Sequence, residues 1–335
     1  VIDATGKLVM PGAIDVHTHL DMPFGGTTSC DDFTSGHVAA LHGGTTMHID
    51  FSTQPKGGSL QDGLDTWHGK ANGRIEVYVG IEWLPLASPQ LLRDARGLAD
   101  DLGTGIHVHL NESLGEVKTV LEQFGRRPTE LAFDTGLLGP DCIAAHCVWL
   151  NDTEIGLMRE TGTRISHNPV SNAKLGNGIA RVPEMLAAGL TVGLGHDAAE
   201  CNNSRDLFEV MKYASLIHRA NRVDAGLFQA PDILAMATRN GADALGHQTG
   251  RIEVGRKADL ALVGLRNQMF TPLEPGNADH LYSHLVFAAN GSSVDTTIVD
   301  GVVVLDEGVF TTIDEDEVLA KANEAFLRVL DRIRT

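Results

Sequence analysis

The feature that most constrains the fold is an alternation: short apolar, β-branched runs, each followed by a segment with helical spacing. Strands are expected near 13–19, 45–51, 75–82, 104–110, 142–148, 163–167 and 190–196. Helices are expected over 31–42, 61–71, 88–101, 114–124, 151–161, 182–188 and 204–220. Such alternation implies parallel βα units, and their number points to a barrel rather than an open sheet. The near-continuous hydrophobicity of most strands fits burial on both faces. A length of 335 residues suits one large α/β unit of this kind with an appendage, and 42% hydrophobic residues with 37 glycines fit a well-cored soluble protein with many tight turns.

Beyond 220 the pattern changes. "APDILAMATRNGADALG" reads as one helix ending at glycine, and "GRKADLALVGL" and "VDTTIVDGVVVLDEG" read as strands, the latter folded at Asp300-Gly301, a favoured two-residue hairpin turn. The last segment, 311–335, is an amphipathic helix with acidic residues first and basic residues last, as the helix dipole favours.

A formal charge of −18 argues against nucleic-acid or anionic-membrane partners, which require a basic surface. A small neutral or cationic ligand suits it better. Cys30, Cys142, Cys147 and Cys201 lack CxxC spacing, so neither a disulfide framework nor a cysteine zinc cluster is expected, and a reducing, cytoplasmic setting is the simplest reading. No apolar run reaches the roughly 18 residues of a membrane helix, and no signal peptide is visible. The opening "VIDATGKLVMPG" reads as the interior of a domain, so truncation at the start is expected.

Polar residues gather at the C-terminal ends of the expected strands, where a barrel of this type carries its active site. His17 and His19, two apart on a strand, point to one face and can reach one ion. His109 with Glu112 follows in "HVHLNES", then His146 in "AAHC", then Asp197 in "GLGHDAAECNN". Three neutral imidazoles and a carboxylate suit a divalent metal such as zinc, with ferrous iron as the alternative. Each residue also has an ordinary reading: His107 and His146 as satisfied buried histidines, Asp197 as a helix N-cap, Glu112 as an acid near a helix start. The recurrence of the pattern at successive strand ends favours the metal.

From about 84 to 265 the chain resembles the amidohydrolase superfamily, in its branch of triazine chlorohydrolases and methylthioadenosine/S-adenosylhomocysteine deaminases. The segments carrying the resemblance are "SPQLLRDARGLADDLGTGIHVHLNES", "GRRPTELAFDTGLLGPDCIAAHCVWL", "TGTRISHNPVSNAKLGNGIARVPEMLAAG" and "VGLGHDAAECNNSRDLFEVMK". The resemblance makes His17, His19, His109 and Asp197 the metal ligands and puts Glu112 and His146 beside the reacting water. Asn168, Asn202 and Asn203 become pocket or structural positions, and His196 departs from the branch's pattern. Through "VIDATGKLVMPGAIDVHTHLDMPFGGTTSCDDFTSG", "HGGTTMHIDF" and "LDTWHGKA", residues 1 to about 72 resemble instead the start of hydantoinases and dihydropyrimidinases, which bridge two metals through a carboxylated lysine. Lys56, Lys70 and Lys118 fall in a turn or in helices, so a single metal is expected.

The reaction implied is hydrolytic deamination of an N-heterocycle, purine-nucleoside-like or triazine-like. In it Asp197 accepts the water proton, Glu112 shuttles it to a ring nitrogen and His146 orients the attacking oxygen. Cyclic amide hydrolysis is the alternative implied by the first 72 residues, and an inactive metal-binding fragment or fusion is a third. Relatives are commonly homo-oligomers, which no residue here demonstrates. The fold implied is a (β/α)8-type TIM barrel. Because His109 belongs on a fifth strand yet only three strands precede it, one βα unit is expected to be missing, with a junction near 72–75. The resulting organisation is a barrel over 1–254, a partial β-sandwich over 255–310 and a C-terminal helix over 311–335.

Overall fold

The computed structural model describes residues 1–24, 27–51, 57–65 and 75–334. Its main strands, in chain order, are β1 (Lys7–Pro11), β2 (Ala13–Thr18), β3 (Thr45–Asp50), β4 (Val79–Ile81), β5 (Ile106–Leu110), β6 (Cys142–His146), β7 (Arg164–His167), β8 (Val192–Leu194), β9 (Leu260–Gly264), β10 (Val294–Val299), β11 (Val302–Asp306) and β12 (Val309–Phe310). Contacts divide the chain into two units. One comprises Val1–Ile49, Leu194–Ala242 and Gly246–Thr335; the other comprises Asp50–Gly193 and Asp243–Leu245.

The second unit is built on a five-stranded sheet in the order β8-β7-β6-β5-β4. The β4–β5, β5–β6 and β6–β7 pairs are parallel, with His109 opposite Ala145 and Leu110 opposite His146. Every residue of β5 and β6 is buried, as continuous apolar strands between helical layers must be. The helix Leu114–Phe124 starts where Ser113 accepts from the Glu116 N–H and stops at Gly125 in the left-handed region.

In the first unit β2 pairs with β3. β2 is buried at every position, whereas β3 is fully buried only at Thr45. An antiparallel sheet in the order β1-β9-β10-β11-β12 completes the unit. The run "KLVMP", which is not among the expected strands, forms β1, an N-terminal strand that pairs with β9 from Lys7↔Gly264 to Pro11↔Leu260. Asp300 and Gly301 both take positive φ, 50° and 79°, which is why that dipeptide turns β10 into β11.

Two helical expectations need correction. The single helix after 230 is two, Ala230–Ala237 and Arg239–Leu245, broken at Thr238 (φ −131°, ψ −94°), whose hydroxyl bonds back to the Leu234 carbonyl. The helix Ala278–Phe287, capped by Asn277, lies in a stretch where no helix is expected. The C-terminal helix is as expected, over Glu315–Arg334, and its Val318 packs against a cluster of Val38, Leu305 and Phe310.

The expected helix over 61–71 is described as Leu60–Asp65. Lys56, Lys70 and residues 72–74 of the expected junction lie outside the described residues. Among the described residues β2 and β3 form a two-stranded sheet and β4 to β8 a separate five-stranded one. No described helix is long and apolar enough to cross a membrane.

Candidate active site

The first unit assembles one half of the expected constellation. His17, His19 and Asp197 are buried, and Nε2 of each histidine lies 3.6 Å from the same Asp197 Oδ1. Zinc bonds of about 2.0–2.1 Å at tetrahedral to trigonal angles separate two ligand atoms by about 3.3–3.6 Å, so each histidine stands from the Asp197 oxygen as two donors to one ion would. Two imidazoles and a carboxylate are a suitable donor set for it.

Backbone and supporting side-chain contacts explain why these residues meet across the chain. The Asp197 N–H donates to the His17 carbonyl at 2.9 Å, and Asp197 sits in the left-handed region at φ 69°, turning its carboxylate out of the strand direction. Ala198 N–H donates to Asp197 Oδ1 at 2.7 Å. The buried guanidinium of Arg205 donates to the Thr18 hydroxyl, to the Asp197 carbonyl at 3.2 Å and to the His19 carbonyl at 3.1 Å, while its Nε holds Asp31. One side chain thereby fixes the ends of both ligand-bearing segments.

His196, which departs from the branch's pattern, belongs to this support. Asp15 accepts from the His17 N–H at 3.2 Å and the His196 N–H at 3.0 Å through Oδ1, and its Oδ2 lies 3.1 Å from His196 Nδ1. Burial pushes the Asp15 carboxyl up, but His196 outweighs it by charge and hydrogen bonding, leaving the group below the usual carboxylate value. Asn202 donates to the His196 carbonyl, and Asn203 ends a short helix in the left-handed conformation, so both make structural contacts.

The second unit holds the other half. His109 and His146 are buried with rings stacked at 5.4 Å, and His146 Nε2 lies 4.0 Å from Glu112 Oε1. His146 Nδ1 is 2.9 Å from Asn172 Oδ1, an acceptor that favours the tautomer with the proton on Nδ1 and the lone pair on Nε2. His146 and Cys147 both adopt positive φ, at 71° and 50°, so the chain turns sharply at the end of β6. Asn168 accepts from Ser166 at 2.7 Å and stands 3.4 Å from His146 Nδ1. His107 packs against Phe51, as does His109.

Glu112 lies just before the helix N-cap Ser113, with its carboxylate turned to Asn177 instead of the helix. The turn carrying it is held by groups that sequence reasoning does not select. Glu116, fully buried, accepts from the Asn111 N–H at 3.0 Å and the Glu112 N–H at 2.7 Å. Burial drives its carboxyl up to about 7 against the pull of those two donors. Asn111, at φ 53°, is anchored through its side chain to Glu154 and Thr129, and Arg127 neutralises Glu154. The spacing E-x-x-x-E at 112–116 is the one visible hint, and it reads equally as an ordinary helical acid.

Residues 59–304 match the amidohydrolase family. This chain belongs to that family. Among its relatives, 5'-deoxyadenosine deaminase of Methanosarcina barkeri is 34% identical, the match covering 99% of this chain and 89% of the relative. The alignment spans 389 positions against a chain of 335, so at least 54 positions of it have no residue here, 389 minus 335. Among solved structures, a zinc-bound adenosine deaminase from Xanthomonas campestris superposes with a TM-score of 0.86 at 25% identity, covering 98% of this chain and 86% of that one. The zinc complex of atrazine chlorohydrolase from Arthrobacter aurescens gives 0.82 at 20% identity, covering 95% and 88%, and shares the fold. The α/β barrel class and the family expected from the sequence are both borne out.

Proposed function

We propose that this amidohydrolase is a single-metal hydrolytic deaminase of an N-heterocycle, with a purine nucleoside as the first substrate class and zinc as the metal. The observation that carries the reading is the placement of His17 and His19 Nε2 at equal 3.6 Å distances from Asp197 Oδ1. His109 completes the ligand set in this reading, on the strength of its place in the family motif. The nucleoside class comes from the relatives, 5'-deoxyadenosine deaminase above all.

A bound divalent metal supplies Lewis acidity that lowers the pKa of water to roughly 7. The residues do the rest. Asp197, its Oδ1 oriented by the Ala198 N–H, accepts the proton of the attacking water. His146, with Nδ1 committed to Asn172, offers the Nε2 lone pair to that water and aims it at the amino-bearing carbon. Glu112 delivers a proton to the ring nitrogen, the proton held by Asp197 passes to the amino group, which leaves as ammonia, and the hydroxyl proton released as the carbonyl forms returns to Glu112. Burial of Asp197 and His146 keeps their interactions strong by excluding competing water.

Four free cysteines support a reducing, cytoplasmic setting. Self-association belongs to the same reading. Leu319, Phe326 and Leu327 are each more than half exposed on the C-terminal helix, and its acidic first turn and basic last turn would complement each other in an antiparallel pair of copies. The test of substrate class is ammonia release by zinc-loaded protein from 5'-deoxyadenosine, adenosine and an aminotriazine, beside ring opening of a hydantoin. Nucleoside turnover supports the proposal; hydantoin opening without ammonia release, or no turnover on any of them, overturns it.

A further inference from the structure

We propose that Asn177 is a positioning residue that dictates which oxygen of Glu112 carries the proton; the inference rests on Glu112 being the proton shuttle. Asn177 Nδ2 donates to Glu112 Oε1 at 2.7 Å. The carbonyl-type oxygen of a carboxyl group is a better acceptor for an amide N–H than its hydroxyl oxygen, so whenever Glu112 carries a proton the contact favours its placement on Oε2. The shuttle is then a one-oxygen device, with its geometry fixed before substrate arrives.

The structure builds the donor into place. Asn177 stands between Gly176 and Gly178, at φ +72° and +120°, a backbone path that residues with a side chain rarely take. A Cβ on Gly178 would meet the Trp149 ring at 3.0 Å and Val148 at 3.2 Å, so a side chain there would have to push these neighbours aside by a few tenths of an ångström. The Asn177 carbonyl accepts from Trp149 Nε1 at 2.7 Å, and its N–H donates to the Asn172 carbonyl at 2.8 Å. Trp149 is tied in turn to the other side of the same turn, its N–H donating to the Asn111 carbonyl at 3.0 Å. Glu112 is thus gripped at its backbone by Glu116 and at its carboxylate by Asn177. The loop that follows β7 reports directly on the proton carrier that follows β5.

The variants Asn177→Ala and Asn177→Asp separate positioning from packing. Asn177→Asp keeps the shape but replaces the donor with a second carboxylate against Glu112, so an orienting role predicts the order wild type, then Ala, then Asp. With 5'-deoxyadenosine as substrate, kcat should fall about tenfold in Asn177→Ala and about a hundredfold in Asn177→Asp, the scale of a misplaced catalytic group, with KM within about twofold of wild type. A packing role predicts instead that Asn177→Asp matches wild type, and that result overturns the proposal. Glu112→Gln tests the underlying reading separately: if it turns over normally, the shuttle assignment fails whatever Asn177 does. A readout independent of turnover is the Asn177 side-chain amide resonance, which should move in Glu112→Ala; an unmoved resonance contradicts the contact itself.

Discussion

Asp15 and His196 are 181 positions apart, yet the carboxylate of one takes both the backbone N–H and a ring nitrogen of the other. The pair joins the segment bearing His17 and His19 to the segment bearing Asp197. Asp15→Asn would turn an amide N–H₂ toward a donor and weaken this junction. Metal affinity, measured by competition with a chromogenic chelator, should fall about 10- to 100-fold, the usual cost of removing support behind a ligand. Unchanged affinity would mean that the ligands hold their places without Asp15.

Arg205 fastens the same two segments from another side, through Thr18, His19 and Asp197, and its Nε pairs with Asp31. Arg205→Met keeps much of the stem's packing but strips the donors from three buried acceptors and the charge from Asp31. Loss of one partner of a buried pair costs about 3–5 kcal/mol, and the partial exposure of Asp31 puts the expectation at or below the lower end. Chemical denaturation should show it as a lowered midpoint with an unchanged slope.

Glu116 makes stability depend on pH in a direction opposite to that of an ordinary salt-bridged carboxylate. Its folded value of about 7 stands above the ordinary glutamate value of 4.5, so between those pH values the folded state binds the extra proton. Its contribution is therefore fully present below about 4.5 and is lost as pH rises through 7, by on the order of 3 kcal/mol. Urea midpoints of wild type and Glu116→Gln, compared at pH 5 and pH 8, should diverge by that sign. The wild type should lose more on going to pH 8, and equal losses in the two proteins would contradict the buried-carboxyl account.

Groups whose chemistry announces itself are legible in the sequence. His17, His19, His109 and His146 stand at the ends of apolar strands, and the period-two alternation of a strand is enough to place the first two on one face. The helix Leu114–Phe124 is legible to the residue because Ser113 and Gly125 are local stop signals. The break at Thr238 is not, since it depends on a side chain bonding back to its own helix, a choice that local spacing leaves open. Neither is β1, whose five residues become a strand only by meeting β9 from the far end of the chain. Asp15, Arg205, Glu116 and Asn177 are hidden for the same reason: each acts through partners fixed by tertiary structure, and each has an ordinary surface or helical reading in sequence.

The C-terminal helix offers a check on self-association. Phe326→Glu places a charge in the exposed apolar stripe, and sedimentation velocity should then show a smaller species than wild type, with ammonia release per chain unaltered. A wild-type protein that is monomeric at micromolar concentration would remove this part of the account.

The most direct test of metal-dependent deamination is a chelation cycle that measures bound metal and ammonia released from 5'-deoxyadenosine on the same sample. The account predicts about one zinc per chain, loss of ammonia release when it is removed, and recovery of both when one equivalent of zinc is returned, with His17→Ala unable to recover either. Full ammonia release from metal-free protein, or tight stoichiometric zinc in His17→Ala, would contradict it.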